Sequence, residues 1–359
     1  MPKSIRVVGI SFEHMHMGDN LLMAHQHPDC EVVGVCDSQL ERTHATMQRL
    51  GLSDSQAFVD WEACMDACQP DLLITCPATA DHGDWVQRLA PMQIPILMEK
   101  PMASSLADAD SMIAACREHG TPLAINWPLV WVPSHRLAKK MIDDGQIGDA
   151  LEVHYYGGNR GPLWHTAGKE SIDAETVAKQ KPESWFYKQA SGGGSLLDYL
   201  GYGTTLGTWY LGGQSPIEVT CVCDSPEGLE VDEHSITVAR YSFGISKFET
   251  RWGTFTDPWT DQPQPKCGFV IVGSKGTISS YDYEGYVLLQ TEAHPQGERI
   301  PAEPLEAPEQ NPVQHFVSVI RDGAPLIGPL TPTLSRLGQQ IVDTALESAR
   351  QRRTIPLLG

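Results

Sequence analysis

Three side chains of this sequence combine into a unit that can move protons. Lys100 stands directly before Pro101 at the end of an apolar run, and Asp198 and Tyr202 stand four residues apart after a run of glycines. A spacing of four places two side chains on one face of a helix. An ammonium, a carboxylate and a phenol can together hold a hydroxyl group and exchange its proton. The pattern therefore predicts a proton-transfer site.

Tyrosine needs a cationic neighbour to act as a base at neutral pH, because its ordinary pKa is about 10. A cationic Lys100 about 4 Å away would favour the phenolate of Tyr202 by about 4 kcal/mol at an effective dielectric constant of about 20. We therefore expect Lys100 and Tyr202 to remove a substrate hydroxyl proton, while Asp198 holds that hydroxyl or the lysine. The alternative for Tyr202 is an aromatic packed in the core beside Trp209, on a helix over 196–210.

The composition is that of an ordinary globular protein. A chain of 359 residues with 41% hydrophobic residues exceeds what one core usually organises, so two domains are expected. The formal net charge of -19 repels nucleic acid and anionic lipid, so neither is an expected partner. No apolar run reaches the roughly 20 residues of a membrane span, and no secretory segment is evident. The nine cysteines are scattered, which predicts reduced thiols and a cytoplasmic protein.

Short apolar runs alternate with helical patterns in the first third of the chain. Strands are predicted over 5–10, 31–36, 72–76, 94–98 and 123–126, and helices over 21–27, 40–50, 61–68, 82–90 and 106–119. This alternation is typical of βαβ units around a parallel sheet. Residues 1–124 are therefore expected to form a doubly wound, Rossmann-like dinucleotide-binding domain.

The remainder of the chain has a different pattern. Strands are predicted over 151–156, 217–223, 235–243, 247–252, 268–272 and 277–281, helices over 134–144, 196–210, 313–321 and 334–350, and a proline- and glutamate-rich loop over 295–312. Runs of strands without intervening helices predict a mixed, mostly antiparallel sheet. Residues 125–359 are thus expected to form an α+β domain for substrate binding and oligomerisation, with the final helix packing back on the first domain.

The segment from Gly9 to His14 stands where a GxGxxG fingerprint would, between a predicted strand and helix. Of the three glycines in that fingerprint, only the first is present, as Gly9. The Ser11 hydroxyl can still donate a hydrogen bond to a phosphate. Asp37 follows the second strand at about the distance where an acidic residue reaches the adenosine ribose. Its charge would repel a 2'-phosphate, which favours NAD and leaves NADP open. The other interpretation of Asp37 is a loop or N-cap residue, and Arg42 is expected on the outer face of a helix.

Several segments resemble the Gfo/Idh/MocA family, which includes glucose-fructose oxidoreductase and inositol dehydrogenase. Glu99-Lys100-Pro101 is similar to the family's EKP segment, residues 75–82 to its TPxxxH segment, and the glycine run with Asp198 to its DxGxHxxD segment. Tyr202 stands at the family's histidine position, as in members that resemble glucose-fructose oxidoreductase, and Thr205 replaces the last aspartate. The resemblance implies an NAD(P)-dependent dehydrogenase or reductase acting on a sugar, glycoside or cyclic polyol, and a homodimer or homotetramer.

The resemblance and the strand ends together assign the site. The residues expected to be catalytic are Lys100, Asp198 and Tyr202. Those expected to bind the cofactor are Gly9, Ser11, Phe12, His14, Asp37, Ser38, Thr75, Cys76, Pro77, His82, Glu99 and Lys100. Those expected to bind the substrate are Asn126, Trp127, Asn159, Arg160, His165, Trp185 and Tyr187, whose side chains suit stacking and hydrogen bonding to a sugar ring.

Two histidine pairs, His14/His16 and His25/His27, have a spacing compatible with a shared metal ion. No further ligands follow at a recognisable spacing, so no metal site is predicted, and the first pair is expected to contact the cofactor pyrophosphate. Two other functions stay open. One is an NAD-using glycosidase without net redox change, and the other is a non-catalytic NAD sensor, which the altered glycine segment favours and the presence of Lys100 opposes.

Overall fold

Continuous apolar runs in the first third of the chain form the buried strands of a parallel sheet. The computed structural model describes residues 3–359. The strands are β1 (Ile5–Phe12), β2 (Cys30–Cys36), β3 (Ala57–Phe58), β4 (Leu72–Cys76), β5 (Ile96–Glu99) and β6 (Leu123–Asn126). Their spatial order is β3-β2-β1-β4-β5-β6. This is the expected doubly wound arrangement, whose strand order reverses between β1 and β4, the place where such sheets bind ligands.

The connecting helices match the predicted ones closely. They are α1 (His16–Gln26), α2 (His44–Leu50), α3 (Trp61–Cys68), α4 (His82–Leu89) and α5 (Leu106–His119). The predicted bounds of α3, α5, β4 and β6 are confirmed. The prediction for α1 starts five residues too late, because residues 16–20 include a glycine and three polar side chains and so hide its first turn. The short β3 was not predicted, since two residues carry no periodic pattern.

The second half of the chain builds a nine-stranded sheet. Its strands are β7 (Ala150–Asn159), β8 (Glu218–Asp224), β9 (His234–Arg240), β10 (Ile245–Trp252), β11 (Gly268–Gly273), β12 (Gly276–Tyr281), β13 (Tyr286–Thr291), β14 (Glu298–Pro301) and β15 (Ile355–Pro356). The spatial order is β14-β13-β12-β11-β7-β10-β9-β8-β15. Only β7 and β10 run parallel within the described part of this sheet. The predicted mixed, mostly antiparallel sheet is confirmed.

Five helices accompany this sheet, namely α6 (Pro133–Asp143), α7 (Ala174–Gln180), α8 (Ser195–Tyr210), α9 (Pro312–Asp322) and α10 (Pro332–Gln351). The prediction of a loop over 295–312 is wrong in part, because β14 lies within it. Strand β14 pairs with β13 through backbone hydrogen bonds that its polar side chains do not reveal. No helix within 3–359 has both the length and the apolar character of a membrane crossing.

Glycines allow α8 to lie close to its neighbours. A Cβ atom at Gly201 would stand 2.6 Å from the Trp127 ring, and one at Gly203 would stand 2.4 Å from Tyr155. At the start of the helix, the Asp232 carboxylate accepts hydrogen bonds from the Ser195 hydroxyl (2.6 Å) and from the backbone N–H of residue 196 (2.9 Å). The position of α8 is therefore set along its length and at its N-terminus.

The long helix α10 contacts both halves of the molecule. Its Asp343 carboxylate accepts a hydrogen bond of 2.6 Å from the backbone N–H of Leu106, at the start of α5. On another face, Gly338 lies against α8, and a Cβ atom there would stand 2.1 Å from the Thr205 hydroxyl and 3.0 Å from the Thr205 Cα. The two helices therefore touch backbone to backbone at this point.

We expect Gly338→Ala to destabilise the protein by about 1–3 kcal/mol, because the added methyl group overpacks a contact in which backbone atoms must move. Urea unfolding followed by circular dichroism measures the change. The control is Gly285→Ala, since a Cβ atom at Gly285 meets no atom within 4 Å. A Gly338→Ala protein as stable as the wild type would contradict this close approach of α8 and α10.

Candidate active site

A buried ion pair joins the two halves of the chain. Lys100 follows the last residue of β5, and Asp198 lies in the first turn of α8. The Lys100 ammonium donates a hydrogen bond of 2.5 Å to Asp198 Oδ1, and the two side chains are only 4% and 11% exposed. The predicted meeting of these two residues is thus present in the structure.

Tyr202 lies beside this pair with its ring centre 5.1 Å from the Lys100 ammonium. Burial raises the pKa of Tyr202 well above its ordinary value, and the Glu99 charge adds to the effect. This is the opposite of the expected lowering of the pKa. The physical reason is that Asp198 already neutralises Lys100, while the ring is 6% exposed and packs edge-on against Trp127.

A cavity of about 240 Å³ opens onto these three residues. Of the other predicted site residues, His14, Asn159 and His165 line it. The wall also includes residues that the sequence did not single out for this site, among them His16, Tyr199, Trp259, Lys169, Asp282 and Tyr283. Burial lowers the pKa of His165 to about 4, and the neighbouring His16 adds to this effect, so the ring is neutral at physiological pH.

Asn126 and Trp127, which are predicted to bind substrate, do not line this cavity. Trp127 is 1% exposed, and its indole N–H donates to the Ser335 hydroxyl at 2.9 Å. The Asn126 amide donates to Asn20 at 3.2 Å. Both side chains are core residues behind the cavity, which the sequence position alone does not reveal.

Three further residues predicted to bind substrate also lie away from the cavity wall. Arg160 pairs with Asp257 at 2.7 Å. The Trp185 indole N–H donates to the backbone oxygen of Glu13 at 3.0 Å. Tyr187 is buried in a small apolar cluster. These residues position the surrounding loops instead of touching the cavity.

A second cavity, of about 400 Å³, lies at the end of β2. It is lined by Ser11, Asp37 and Ser38, which the sequence predicted for the cofactor, and by other residues that it did not, including Glu13, Arg42, Trp61, Asp81, Trp85 and Arg88. An adenosine-binding region is expected at this place in a doubly wound fold. The flat tryptophan rings and the strand-end carboxylate are consistent with that use.

At the wall of the second cavity, three donors converge on the carboxylate of Glu13. It accepts hydrogen bonds from the Ala78 backbone N–H (3.0 Å) and the Ser11 hydroxyl (3.3 Å), and the Arg42 guanidinium lies 3.3 Å away. These donors form an anion-binding site, and the Glu13 carboxylate occupies it. The first N–H groups of α1 are also bonded within the loop, because those of His16 and Met17 both donate to His14.

The carboxylate of Asp37 already interacts with other groups of the chain. Its carboxylate accepts hydrogen bonds from the backbone N–H groups of Phe12 (2.6 Å) and Gln39 (2.8 Å). The Arg42 guanidinium lies 3.5 Å away. The expectation that Arg42 lies on the outer face of a helix is therefore wrong, since it faces the cavity.

The remaining residues predicted for the cofactor line neither cavity and are buried, namely Gly9, Phe12, Thr75, Cys76, Pro77, His82 and Glu99. Gly9 is required for helix packing, because a Cβ atom there would stand 2.8 Å from Leu21. The two ring nitrogens of His82 lie 3.3 Å and 3.4 Å from the backbone oxygens of Met102 and Pro77. These residues therefore lie behind the walls of the two cavities.

One cluster went unnoticed in the sequence. His16 Nδ1 lies 2.8 Å from Glu99 Oε1, and the His14 Nδ1 accepts a hydrogen bond of 3.2 Å from the backbone N–H of His16. The three side chains bring ligand atoms within 4.8 Å of one another. The sequence signal for this cluster is a histidine pair after β1 and a glutamate at the end of β5. These residues come together only through the order of the strands in the folded sheet.

Comparison with protein-family models gives two matches. Residues 3–127 match the model described as "Oxidoreductase family, NAD-binding Rossmann fold". Residues 135–279 match the model described as "GFO/IDH/MocA C-terminal domain". Together the two models cover both sheets of the structure in large part.

Similar proteins include sugar oxidoreductases. The D-apiose dehydrogenase of Paraburkholderia graminis is 31% identical over 118 residues, which are 33% of this chain and 31% of that relative. The chain therefore spans about a third of the length of this curated relative. The aldose-aldose oxidoreductase of Caulobacter crescentus, complexed with glycerol, shares the fold with a TM-score of 0.78 and 19% identity, covering 99% of this chain and 100% of that chain. A levoglucosan dehydrogenase in complex with NADH and levoglucosan has a TM-score of 0.77 and 16% identity, covering 99% and 100%.

We expect Asp198→Asn to destabilise the protein by about 3–5 kcal/mol, because it leaves the Lys100 charge buried without its counter-ion. The free energy of unfolding in urea at neutral pH measures this loss. Asp66→Asn, at an exposed position on α3, is the control and should stay within about 0.5 kcal/mol of the wild type. Equal stabilities of the two variants would mean that the Lys100–Asp198 pair is not buried in solution.

Proposed function

Because this chain belongs to the Gfo/Idh/MocA family of oxidoreductases, we propose that it transfers a hydride between a nicotinamide dinucleotide and the CH–OH carbon of a sugar, glycoside or cyclic polyol. One observation carries the proposal. Lys100 and Asp198, 98 residues apart in the chain, meet 2.5 Å apart with Tyr202 beside them. Their cavity opens at the carboxyl end of β5, where doubly wound sheets bind ligands.

The wall of the cavity supports a hydroxyl-rich substrate. Tyr199 and Trp259 contribute flat rings, and Asn159 and Lys169 contribute polar groups. Aromatic faces pack on the C–H surface of a sugar ring, while amides and ammonium groups bond its hydroxyls. The Lys169 ammonium donates to the Tyr283 hydroxyl at 2.9 Å, which holds both groups at the wall.

The residues at the second cavity suit a dinucleotide. Ser11, Arg42 and the Ala78 N–H are the kinds of donor that a pyrophosphate needs. Glu13 gives up these bonds when a pyrophosphate takes its place. Asp37 favours NAD over NADP, because its charge repels a 2'-phosphate. We therefore propose NAD as the cofactor, with NADP as the alternative.

The chain's own residues control the proton and the orientation of the substrate. When bound, the nicotinamide supplies or accepts the hydride. Lys100 and Asp198 offer a donor and an acceptor side by side, which orient one oxygen of the substrate. Tyr202 keeps its proton at neutral pH because burial raises its pKa. We assign it the role of proton donor to a carbonyl oxygen in the direction of reduction.

The outer face of the nine-stranded sheet supports self-association. Val222, Ile236, Val238 and Ile245 are exposed on β8, β9 and β10, and together they form an apolar surface. Such surfaces are typical of protein interfaces. We propose a homodimer or homotetramer formed through this face. The nine free cysteines support a reducing, cytoplasmic location.

We expect the protein to reduce NAD with at least one member of a panel of aldoses, glycosides and inositols. The absorbance of reduced nicotinamide measures this turnover. In the direction of reduction, followed by the loss of absorbance of reduced nicotinamide, Tyr202→Phe should lower turnover by about 10²–10⁴-fold, because it removes the proton donor, while the dissociation constant of NAD stays unchanged. Tyr286→Phe, on the remote strand β13, is the control.

Normal turnover in Tyr202→Phe would refute the role of this residue. Nitrophenyl glycosides belong in the same panel. Release of nitrophenol without accumulation of reduced nicotinamide would identify an NAD-using glycosidase instead of a net oxidoreductase.

We expect Glu13→Gln to bind NAD roughly tenfold more tightly, because the neutral amide competes less well for Arg42 and does not repel the pyrophosphate. Isothermal titration calorimetry with NAD measures the dissociation constant. Glu227→Gln, at an exposed loop position, is the matched control. Weaker binding in Glu13→Gln would show that this side chain helps to bind the dinucleotide.

A further inference from the structure

Two imidazoles and one carboxylate form a cluster that the proposed proton transfer does not use. His14 lies in the turn after β1, His16 is the first residue of α1, and Glu99 is the last residue of β5. One ligand atom of each side chain lies within 4.8 Å of the others. We propose that His14, His16 and Glu99 bind one divalent transition-metal ion, with zinc as the reference case.

The donor set matches that of known metal sites with catalytic roles. Two histidines and one carboxylate occur in such zinc and iron sites, and three protein ligands leave a coordination position open. Bonds of about 2.0–2.2 Å place ligand atoms roughly 3–4 Å apart, so small side-chain rotations complete the site. His16 Nδ1 and Glu99 Oε1 are already 2.8 Å apart. A bound ion would replace the hydrogen-bonding proton between these two atoms.

The second oxygen of Glu99 independently indicates a missing partner. Glu99 is 1% exposed, and its Oε2 is a buried atom without a hydrogen-bond partner anywhere in 3–359. Leaving a buried acceptor unpaired costs about 1–3 kcal/mol, and more for a charged group. Such an atom in a folded protein needs an explanation. A cation bound to the carboxylate supplies the missing interaction.

The nearby lysine does not oppose a bound cation, although it lines the same cavity as His14 and His16. The Lys100 ammonium does not act as an uncompensated charge against the ion, because Asp198 lies 2.5 Å from it.

An ion at this position would face the substrate. His14 and His16 line the same cavity as Lys100 and Asp198. Through its open coordination position, the ion would bind a substrate oxygen and polarise its bond to carbon as a Lewis acid. The ion would place a positive charge beside that oxygen. Lys100 cannot do this to the same extent, because its charge is paired with Asp198. The catalytic role rests on the proposed function, whereas binding of the ion does not.

The test uses the full chain without a polyhistidine tag, stripped with a chelator and dialysed. Zinc chloride is titrated by isothermal titration calorimetry, and bound zinc is counted by plasma mass spectrometry after gel filtration. We expect one zinc ion per chain with a dissociation constant of roughly micromolar or tighter. Cobalt chloride should give visible absorption bands that report the coordination number.

Variants locate the ion. His16→Gln and Glu99→Gln should each weaken zinc binding by roughly 100-fold or more, because each removes a ligand. His16 is partly exposed, so its variant is expected to fold, and thermal unfolding checks both proteins. His25→Gln is the matched control. It removes one histidine of the equally spaced His25/His27 pair at the end of α1, which does not belong to the cluster with Glu99, and it should leave zinc binding unchanged.

The outcomes separate the metal site from the proposed function. Zinc binding in His16→Gln as tight as in the wild type, or no stoichiometric zinc in the wild type, overturns the metal site whatever the dehydrogenase assay gives. Stoichiometric zinc that is lost in both variants supports the site. If no sugar is turned over by that zinc-loaded protein, the metal site stands and the proposed oxidoreductase function falls.

Discussion

A buried ion pair between Lys100 and Asp198 holds the two halves of the molecule together at the site. Taking two charges out of water costs several kcal/mol per ion, and their attraction offsets this cost only when the geometry is good. The fold provides that geometry from both sides. Lys100 follows a fully buried strand, and Asp198 lies in the first turn of a helix that Asp232 caps. The close packing of α8 through its glycines maintains the distance between them.

The same pair determines what Tyr202 can do. A free ammonium beside a phenol would stabilise the phenolate. The field of an ammonium that is paired with a carboxylate is largely compensated by the carboxylate, so its effect on the phenol is small. Burial then dominates, and the pKa of Tyr202 rises. The site is consequently better suited to giving a proton than to removing one. A cation held by the His14–His16–Glu99 cluster would place a positive charge at the same cavity.

The sequence predicted the parallel sheet well because each buried strand is an uninterrupted apolar run. It predicted β14 poorly, because that strand is polar and depends on its pairing with β13. At the candidate site, spacing and family resemblance predicted Lys100, Asp198 and Tyr202, and the structure brings these three side chains together. The surroundings of Trp127 and Arg42 were not predictable, since an indole or a guanidinium suits both a cavity wall and a structural role. Only the folded chain reveals that Trp127 bonds Ser335 and that Arg42 faces Glu13.

The turn after β1 shows how one short segment affects two cavities. Ser11 adopts a left-handed conformation, with a φ of 62°, that costs a non-glycine residue about 1–2 kcal/mol. The turn therefore keeps a backbone shape suited to glycine while carrying larger side chains. Glu13 fills the anion site on one side, and His14 and His16 face the substrate cavity on the other. One short segment, residues 13–16, therefore sends side chains toward two different cavities.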